Sequence, residues 1–395
     1  MRVLVLTHNY PRFPGDPAGA FVARLAQAVQ AAGHQTRVLS PHVPGTRGRE
    51  VCDGVLVSRF RYAPEKFERL GYTGSLHRDA LTSPLVALTL PFYLWSFWRA
   101  ATREIRAFNP DVVHAHWWIP SGCVASVLGR PYLITSHGSD VRLLESVPLL
   151  RALARRVFAG AAALTTVSRF LARDLARLMP RLVTPVEVTP MPLDVDRFAA
   201  GVLEARAEPP RVLYAGNLVP SKGVDVLIEA VSLLLGRGVH CQLRILGEGP
   251  ALSTLQAQVE KLGLTDAVSF SPFLPQSAMP AEYGRSTVTV LPTRGNAEGL
   301  GLTLVEALLA GSAVVGTPAG GIPEVVRHEE TGLIARDGDA ADLAAQIDRL
   351  LTDSELRERL VRQGSEHARR VYAIDSAAAR FMDLYRVASA NHCAS

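Results

Sequence analysis

The chain has 395 residues, 48% of them hydrophobic and 20% charged, with 31 glycines and 26 prolines. That length accommodates two or three domains with full cores, and the composition excludes a peptide, a disordered chain and a collagen-like repeat. A net charge of +5 admits acidic lipid, nucleic acid and phosphorylated ligands alike. Cys52, Cys123, Cys241 and Cys393 lie far apart without a CxxC pair, which fits neither a disulfide framework nor a zinc site and points to a reducing, cytoplasmic setting. Met1-Arg2-Val3-Leu4-Val5-Leu6 runs directly into a strand pattern without a secretory signal.

Short apolar runs rich in Val, Leu and Ile alternate with amphipathic stretches of helical length, the pattern of β-α-β units and a parallel sheet, and it occurs twice. In the first half, strands are expected over 3–7, 36–40, 55–60, 112–114, 132–136, 163–167 and 186–189, with helices over 21–32, 85–108, 149–160 and 168–178. In the second half, strands are expected over 211–215, 242–246, 268–271, 288–291 and 313–316, with helices over 223–235, 250–262, 302–309, 322–326, 340–351 and 353–371. The join falls in the proline-rich stretch 190–210, where neither period persists. Tandem open α/β domains bind ligands with the strand-to-helix loops that meet in the cleft between them.

From Ala80 to Trp98 nineteen residues carry no formal charge, about the length of a membrane span. Ser83, Pro84, Thr89, Pro91 and Ser96 interrupt the run, and an amphipathic stretch and a strand follow it, so a buried crossover helix is the preferred reading. A third reading places Phe92, Tyr93, Trp95, Phe97 and Trp98 against a membrane surface, helped by Arg99, Arg103 and Arg106.

The loop from Asn9 to Ala20, with Gly15 and Gly19 bracketing its turn, lets backbone approach a ligand. The segment Thr293 to Glu306 sits between a strand and an apolar helix, and its glycines at the helix start expose N–H groups suited to phosphate. Glu298 belongs to the loop and Glu306 to the second helical turn, too far apart for a shared metal; each suits hydroxyls of a different part of one long ligand, such as the sugar and ribose of a nucleotide sugar. Glu306 stands among apolar neighbours and needs a partner. In Gly216-Asn217-Leu218-Val219-Pro220-Ser221-Lys222-Gly223, Lys222 is a point charge beside a helix N-terminus in a chain with very few lysines. Leu246-Gly247-Glu248-Gly249-Pro250 is a third loop of this kind, and Thr135 to Asp140 places His137 and Asp140 at a strand end. His114, His116, Trp117 and Trp118 look metal-like, but His114 and His116 are expected on opposite faces of their strand, so the cluster reads as structural or acceptor-facing, and no metal is expected elsewhere.

Taken together, the Glu-x7-Glu segment, the Lys222 loop, the Gly247 loop, the His137 turn and the Gly15/Gly19 loop resemble the retaining glycosyltransferases of family GT4, over nearly the whole chain. The opening from Tyr10 to Phe21 and the linker from Pro190 to Phe198 are similar to a subgroup that builds bacterial cell-surface polysaccharides. The resemblance implies an α/β GT-B fold, two Rossmann-like domains facing across a cleft: an acceptor-binding domain over 1–195, a nucleotide-sugar-binding domain over 196–372, and a helix over 373–395 crossing back to the first. It implies transfer of a hexose from a UDP- or GDP-linked donor to a hydroxyl of a glycan, glycolipid or small molecule, with retained configuration and without metal or other cofactor. Lys222 would hold the diphosphate, Glu306 the ribose and Glu298 the donor sugar. Gly15, Gly19, Asn217, Gly247, Gly299, Leu300, Gly301 and Leu302 would line the donor, His137 would lie beside the transferred sugar, and His137 and Asp140 would face the acceptor. Two positions depart from the family pattern: Asn217 stands where Arg is common, with Arg294 as a candidate substitute, and Met191-Pro192 where Asn-Gly is usual. A sugar-nucleotide epimerase of the same architecture and a silent sugar-nucleotide-binding partner are the alternatives. Dispersed basic residues give no nucleic-acid surface, and peripheral contact with the inner membrane face is the remaining partner expectation.

Overall fold

The computed structural model describes residues 1–16, 18–68, 70 and 84–393. The chain forms two compact units, one of Met1–Pro192 together with Ile374–Ser395, the other of Leu193–Ala373.

The first unit is built on an eight-stranded sheet. Its strands are β1 (Arg2–Leu6), β2 (Gln35–Pro41), β3 (Arg49–Cys52), β4 (Val55–Phe60), β5 (Val112–His116), β6 (Tyr132–Ser136), β7 (Ala163–Thr166) and β8 (Val186–Val188), in the order β3-β4-β2-β1-β5-β6-β7-β8. All pairs are parallel except β3 with β4. Helices cover both faces, so central strands read as unbroken apolar runs; Val3, Leu4, Val5 and Leu6 are all buried. The last helix, Ile374–Cys393, belongs to this unit, and its Tyr385 hydroxyl meets His114 Nδ1 at 2.8 Å.

Three sequence expectations need correction here. First, β3 was not foreseen; it is a short, half-exposed edge strand turned back by Asp53 (φ 47°) and Gly54 (φ 82°). Second, the strand at 112 runs on to His116, and alternate residues of a strand share a face, so the His114 and His116 rings pack with centroids 4.1 Å apart. Third, the helix Pro84–Phe108 is half-buried. Tyr93, Phe97, Ala101 and Phe108 recur at helical spacing on its inner face, Phe97 stacking on Phe60 at 4.6 Å, whereas Phe92, Trp95 and Trp98 are 64%, 52% and 42% exposed. Tyr93 and Phe97 are therefore core residues. Residues 80–83 of the charge-free stretch lie outside the described residues, and no described helix is long and apolar enough to cross a membrane.

The second unit has a six-stranded parallel sheet of β9 (Arg211–Ala215), β10 (Gln242–Leu246), β11 (Val268–Ser271), β12 (Val288–Leu291), β13 (Ala313–Gly316) and β14 (Leu333–Ile334), in the order β11-β10-β9-β12-β13-β14. Helices Val224–Gly236, Leu252–Lys261, Leu302–Leu309, Ala340–Thr352 and Ser354–Tyr372 follow the expected pattern. The helix Met279–Arg285 was not foreseen, being only seven residues with Pro280 in its first turn. In each sheet the chain order reverses beside the first strand, between β1 and β5 and between β9 and β12. Open α/β sheets bind ligands outside the carboxyl ends of the strands at this switch point.

Candidate active site

The second unit's switch point is flanked by the loops that follow β9 and β12, and these bring together residues far apart in sequence. After β9, Tyr214 donates to the carbonyl of Asn217 at 2.9 Å, and the chain passes through the single turn Pro220–Lys222 into the helix Val224–Gly236. Lys222, one of only three lysines in the chain, donates from Nζ to Glu298 Oε2 at 2.6 Å, both side chains being 16% exposed. Asn217 is exposed. Arg294 does not stand unpaired in its place: Nη2 donates to Asp225 at 2.6 Å and its backbone N–H to Ser221 at 2.9 Å.

After β12, Gly299 and Leu300 lead to Gly301, which caps the helix Leu302–Leu309 in the left-handed conformation and aims that helix's first N–H groups along the loop. Glu306 is 8% exposed, and the partner its apolar setting demands is Tyr283, whose hydroxyl donates to Oε2 at 3.0 Å. Burial, then the charge of Glu306, pushes the Tyr283 hydroxyl far above the ordinary phenol range, keeping it a donor. The loop after β10 closes on the one after β9. Any Cβ on Gly247 would stand 1.9 Å from the carbonyl oxygen of Gly216, so only glycine permits that contact.

In the first unit, the loop after β1 is held by Asp16, which is 2% exposed. It accepts from Arg12 Nε at 2.6 Å, Arg12 N at 3.0 Å and Ala18 N at 3.1 Å. Burial would raise this carboxyl, but the hydrogen bonds from Arg12 and the backbone outweigh it and hold it low. Gly15 is exposed. Gly19 caps the helix Ala20–Ala31 at φ 65°, where a Cβ would fall 2.3 Å from the Asn9 carbonyl oxygen.

His137 follows β6 and joins an aromatic and imidazole cluster at the same sheet edge. Its ring lies 4.4 Å from Trp117 and 4.9 Å from Phe21, and Nε2 meets His116 Nδ1 at 3.0 Å. His8 packs on Trp117 at 4.2 Å. Burial keeps these imidazoles neutral, with His8 pushed down to about 4, His116 to about 3 and His137 well below the usual range. His8 Nδ1, Asn9 Oδ1 and His116 Nε2 are buried without a hydrogen-bond partner among the described residues. Trp117 itself holds φ 67°, a strained conformation for a bulky residue of the kind that collects at functional sites. Asp140 does not face outward for an acceptor. It is 3% exposed and accepts from the backbone N–H groups of His137, Gly138 and Trp118, so it shapes the loop that carries His137.

Sequence reasoning missed Tyr283 and His8 as members of these sites, and took His116 and Trp117 only as part of a structural or acceptor-facing cluster. The position of His8 just beyond β1, and of His116 and Trp117 at the end of β5, was the available signal. Among the described residues no group of three or more His, Cys, Asp and Glu side chains is arranged to hold a metal ion.

Residues 18–197 match the family described as Glycosyltransferase Family 4, and residues 197–367 match Glycosyl transferases group 1. A D-inositol 3-phosphate glycosyltransferase of Acidothermus cellulolyticus is 31% identical over 347 residues, 79% of this chain and 76% of that protein. The chain belongs to glycosyltransferase family 4. This glycosyltransferase is also 28% identical over 403 residues, 98% of each chain, to a GDP-mannose-dependent alpha-(1-6)-phosphatidylinositol monomannoside mannosyltransferase of Mycobacterium tuberculosis. Among solved structures, a sucrose-phosphate synthase of Thermosynechococcus elongatus superposes with a TM-score of 0.79 at 22% identity, covering 98% of both chains, which places the two Rossmann-like units in the GT-B class.

Proposed function

We propose that this glycosyltransferase moves a hexose from a UDP- or GDP-linked sugar to a hydroxyl of a glycan, glycolipid or small-molecule acceptor, with retained anomeric configuration and no bound metal. The observation that carries this reading is the Lys222–Glu298 pair at the β9/β12 switch point, 2.6 Å apart, with Glu306 held by Tyr283 in the helix that follows. Donor binding exchanges partners. The diphosphate takes the Lys222 ammonium and the N–H groups at Gly301 and Leu302, the sugar hydroxyls take Glu298, and the ribose hydroxyls take Glu306.

Phosphate charge that grows as the sugar departs is then met by a fixed cation and a helix N-terminus, which is the reason a metal is not needed. The acceptor hydroxyl attacks on the face the diphosphate leaves, and the leaving phosphate accepts its proton. His137, neutral and fixed by His116, supplies a hydrogen bond to the transferred sugar rather than a charge. The mycobacterial relative, matched over 98% of both chains, is named as GDP-mannose-dependent and as acting on a phosphatidylinositol mannoside, which favours a GDP-linked donor and a lipid-linked acceptor. In this reading the enzyme works in the cytoplasm, with the exposed aromatic face of Pro84–Phe108 touching the inner membrane surface.

Calorimetric titration with UDP, GDP and ADP in excess chelator tests it. One nucleotide binds, and Lys222→Ala and Glu306→Ala each weaken it at least about tenfold, the loss of one charge-assisted hydrogen bond. Binding that requires added divalent metal overturns metal independence, and an inverted product anomer by NMR overturns retention.

A further inference from the structure

We propose that a second site, an arginine-lined pocket on the outer edge of the first unit, binds the phosphate headgroup of an anionic phospholipid. The pocket, of about 470 Å³, lies between the edge strand β3, its neighbour β4 and the helix Pro84–Phe108. Arg49, Arg59, Arg61, Arg99 and Arg103 border it against a single carboxylate, Glu104. That carboxylate is already engaged, by Arg37 at 3.1 Å and by the Ser58 hydroxyl at 2.9 Å. Arg59 forms a fixed wall, its fully buried side chain donating to Glu50 and to the Pro11 carbonyl. Arg61 pairs with Glu65 at 3.1 Å, where both side chains are more than half exposed and the pair is weak. Its Nε also lies 3.7 Å from the fully buried Glu68, so it is less available than Arg49, Arg99 or Arg103. Arg49, Arg99 and Arg103 have no carboxylate within ion-pair distance among the described residues, although the three border one cavity. Guanidinium forks gathered this way fit phosphate oxygens.

The neighbours of these arginines favour a lipid over a free phosphate. Phe92, Trp95 and Trp98 follow one another at three-residue spacing and lie exposed on the helix whose next turns carry Arg99 and Arg103. Trp95 borders the pocket itself, with the Arg99 guanidinium 5.1 Å from its ring centre. A soluble phosphate has no use for a row of exposed aromatic rings, whereas rings beside guanidinium groups suit the boundary between acyl chains and headgroups. The pocket shares no residue with the candidate active site. The proposal rests on the membrane contact in the reading above and adds that the contact selects a headgroup.

The test is flotation of the full-length protein with phosphatidylcholine vesicles, with and without phosphatidylglycerol. Arg99→Gln/Arg103→Gln is compared with Arg47→Gln/Arg106→Gln, which removes the same charge from exposed residues outside the pocket. The wild type should float with phosphatidylglycerol vesicles and far less with phosphatidylcholine alone. General attraction to an anionic surface predicts equal losses, about fivefold per arginine, for the two pairs; the pocket predicts a further tenfold or greater loss for the Arg99/Arg103 pair. Equal losses overturn the pocket and leave the membrane contact standing. Failure of the wild type to float with either vesicle overturns both. Soluble glycerol phosphate is titrated in parallel against tryptophan fluorescence: a Trp95-dependent change as strong as with vesicles assigns the pocket to a free phosphate and overturns the lipid assignment. Nucleotide binding by calorimetry is unchanged in both pairs, which separates this outcome from failure of the donor site.

Discussion

Lys222 and Glu298 pair across 2.6 Å, so under the proposed function a diphosphate competes with a carboxylate for the ammonium. Glu298→Gln removes that competitor. The variant is expected to bind the free nucleoside diphosphate up to about fivefold more tightly, since a partly exposed ion pair is worth roughly 1 kcal/mol. It should transfer sugar at least about a hundredfold more slowly if Glu298 holds the reacting sugar as proposed. Calorimetry and initial rates read both; weaker nucleotide binding would mean that Glu298 positions Lys222 rather than opposing the phosphate. Tyr283 gives a second test. Tyr283→Phe strips the hydroxyl from a carboxylate that is 8% exposed and should cost about 1 to 3 kcal/mol of urea stability. If Tyr283 fixes Glu306 for the ribose, the variant also binds ordinary and 2′-deoxy nucleoside diphosphates alike, whereas the parent prefers the ordinary one. Retained preference in the variant would leave Tyr283 a purely structural role.

At the scale of elements, the helix Pro84–Phe108 has two unlike faces, one buried and one exposed. Phe97 is wholly buried between Phe60 and Tyr93, so Phe97→Ala is expected to cost about 3 to 5 kcal/mol in denaturant unfolding followed by circular dichroism. Trp98, 42% exposed one residue later, should cost under about 1 kcal/mol on truncation. Comparable losses would mean that the aromatic face is packed against protein after all. This helix also marks where sequence pattern stopped being informative. A charge-free run reads the same whether both faces are buried or one, and only the tertiary placement of Phe60 selects Tyr93 and Phe97 as the inner pair.

Central strands such as β1 and β9 were legible because burial on both faces leaves unbroken apolar runs. β3 and β14 were not, because a half-exposed edge strand and a two-residue strand bury too little to impose a pattern, although Asp53-Gly54 is a hairpin turn signal. Lys222 and Glu298 in their loops, and Glu306 in the helix that follows, were singled out from glycines between strand and helix. Their pairings were not, since Lys222 lies 76 residues from Glu298 and Tyr283 lies 23 residues from Glu306, distances that only sheet order closes.

Over the whole molecule, the two units differ in how they should respond to acid. The first unit buries His114 and His116 completely, one bonded to Tyr385 and Thr135 and the other to His137. Burial, followed by neighbouring imidazoles, holds His114 well below its ordinary 6.5 and His116 at about 3. A histidine whose native value is depressed contributes fully above its unfolded value and loses that contribution as pH falls below it, because the unfolded chain then binds protons that the native fold refuses. His8 and His137 of the same unit, lowered chiefly by burial as well, behave alike. Between pH 7.5 and pH 5.5 each of the four should therefore lose about 1.4 kcal/mol of stabilisation, about 5.5 kcal/mol together, before carboxylates begin to titrate. The second unit has a single histidine lowered in this way, His367.

The four tryptophans, Trp95, Trp98, Trp117 and Trp118, all belong to the first unit, so tryptophan fluorescence follows that unit alone while circular dichroism follows both. Urea titrations at the two pH values should shift the fluorescence midpoint strongly downward and the later part of the dichroism transition much less. His116→Gln should flatten the fluorescence shift by about a quarter. Coincident shifts by both probes, or an unchanged slope in the variant, would mean that the histidines are not what ties the first unit's stability to pH. Because His114 is bonded to Tyr385, 271 residues further along, the same unit is completed only when the final helix docks. A chain truncated after Ala373 should then lose the fluorescence transition at every pH while keeping the dichroism of the second unit.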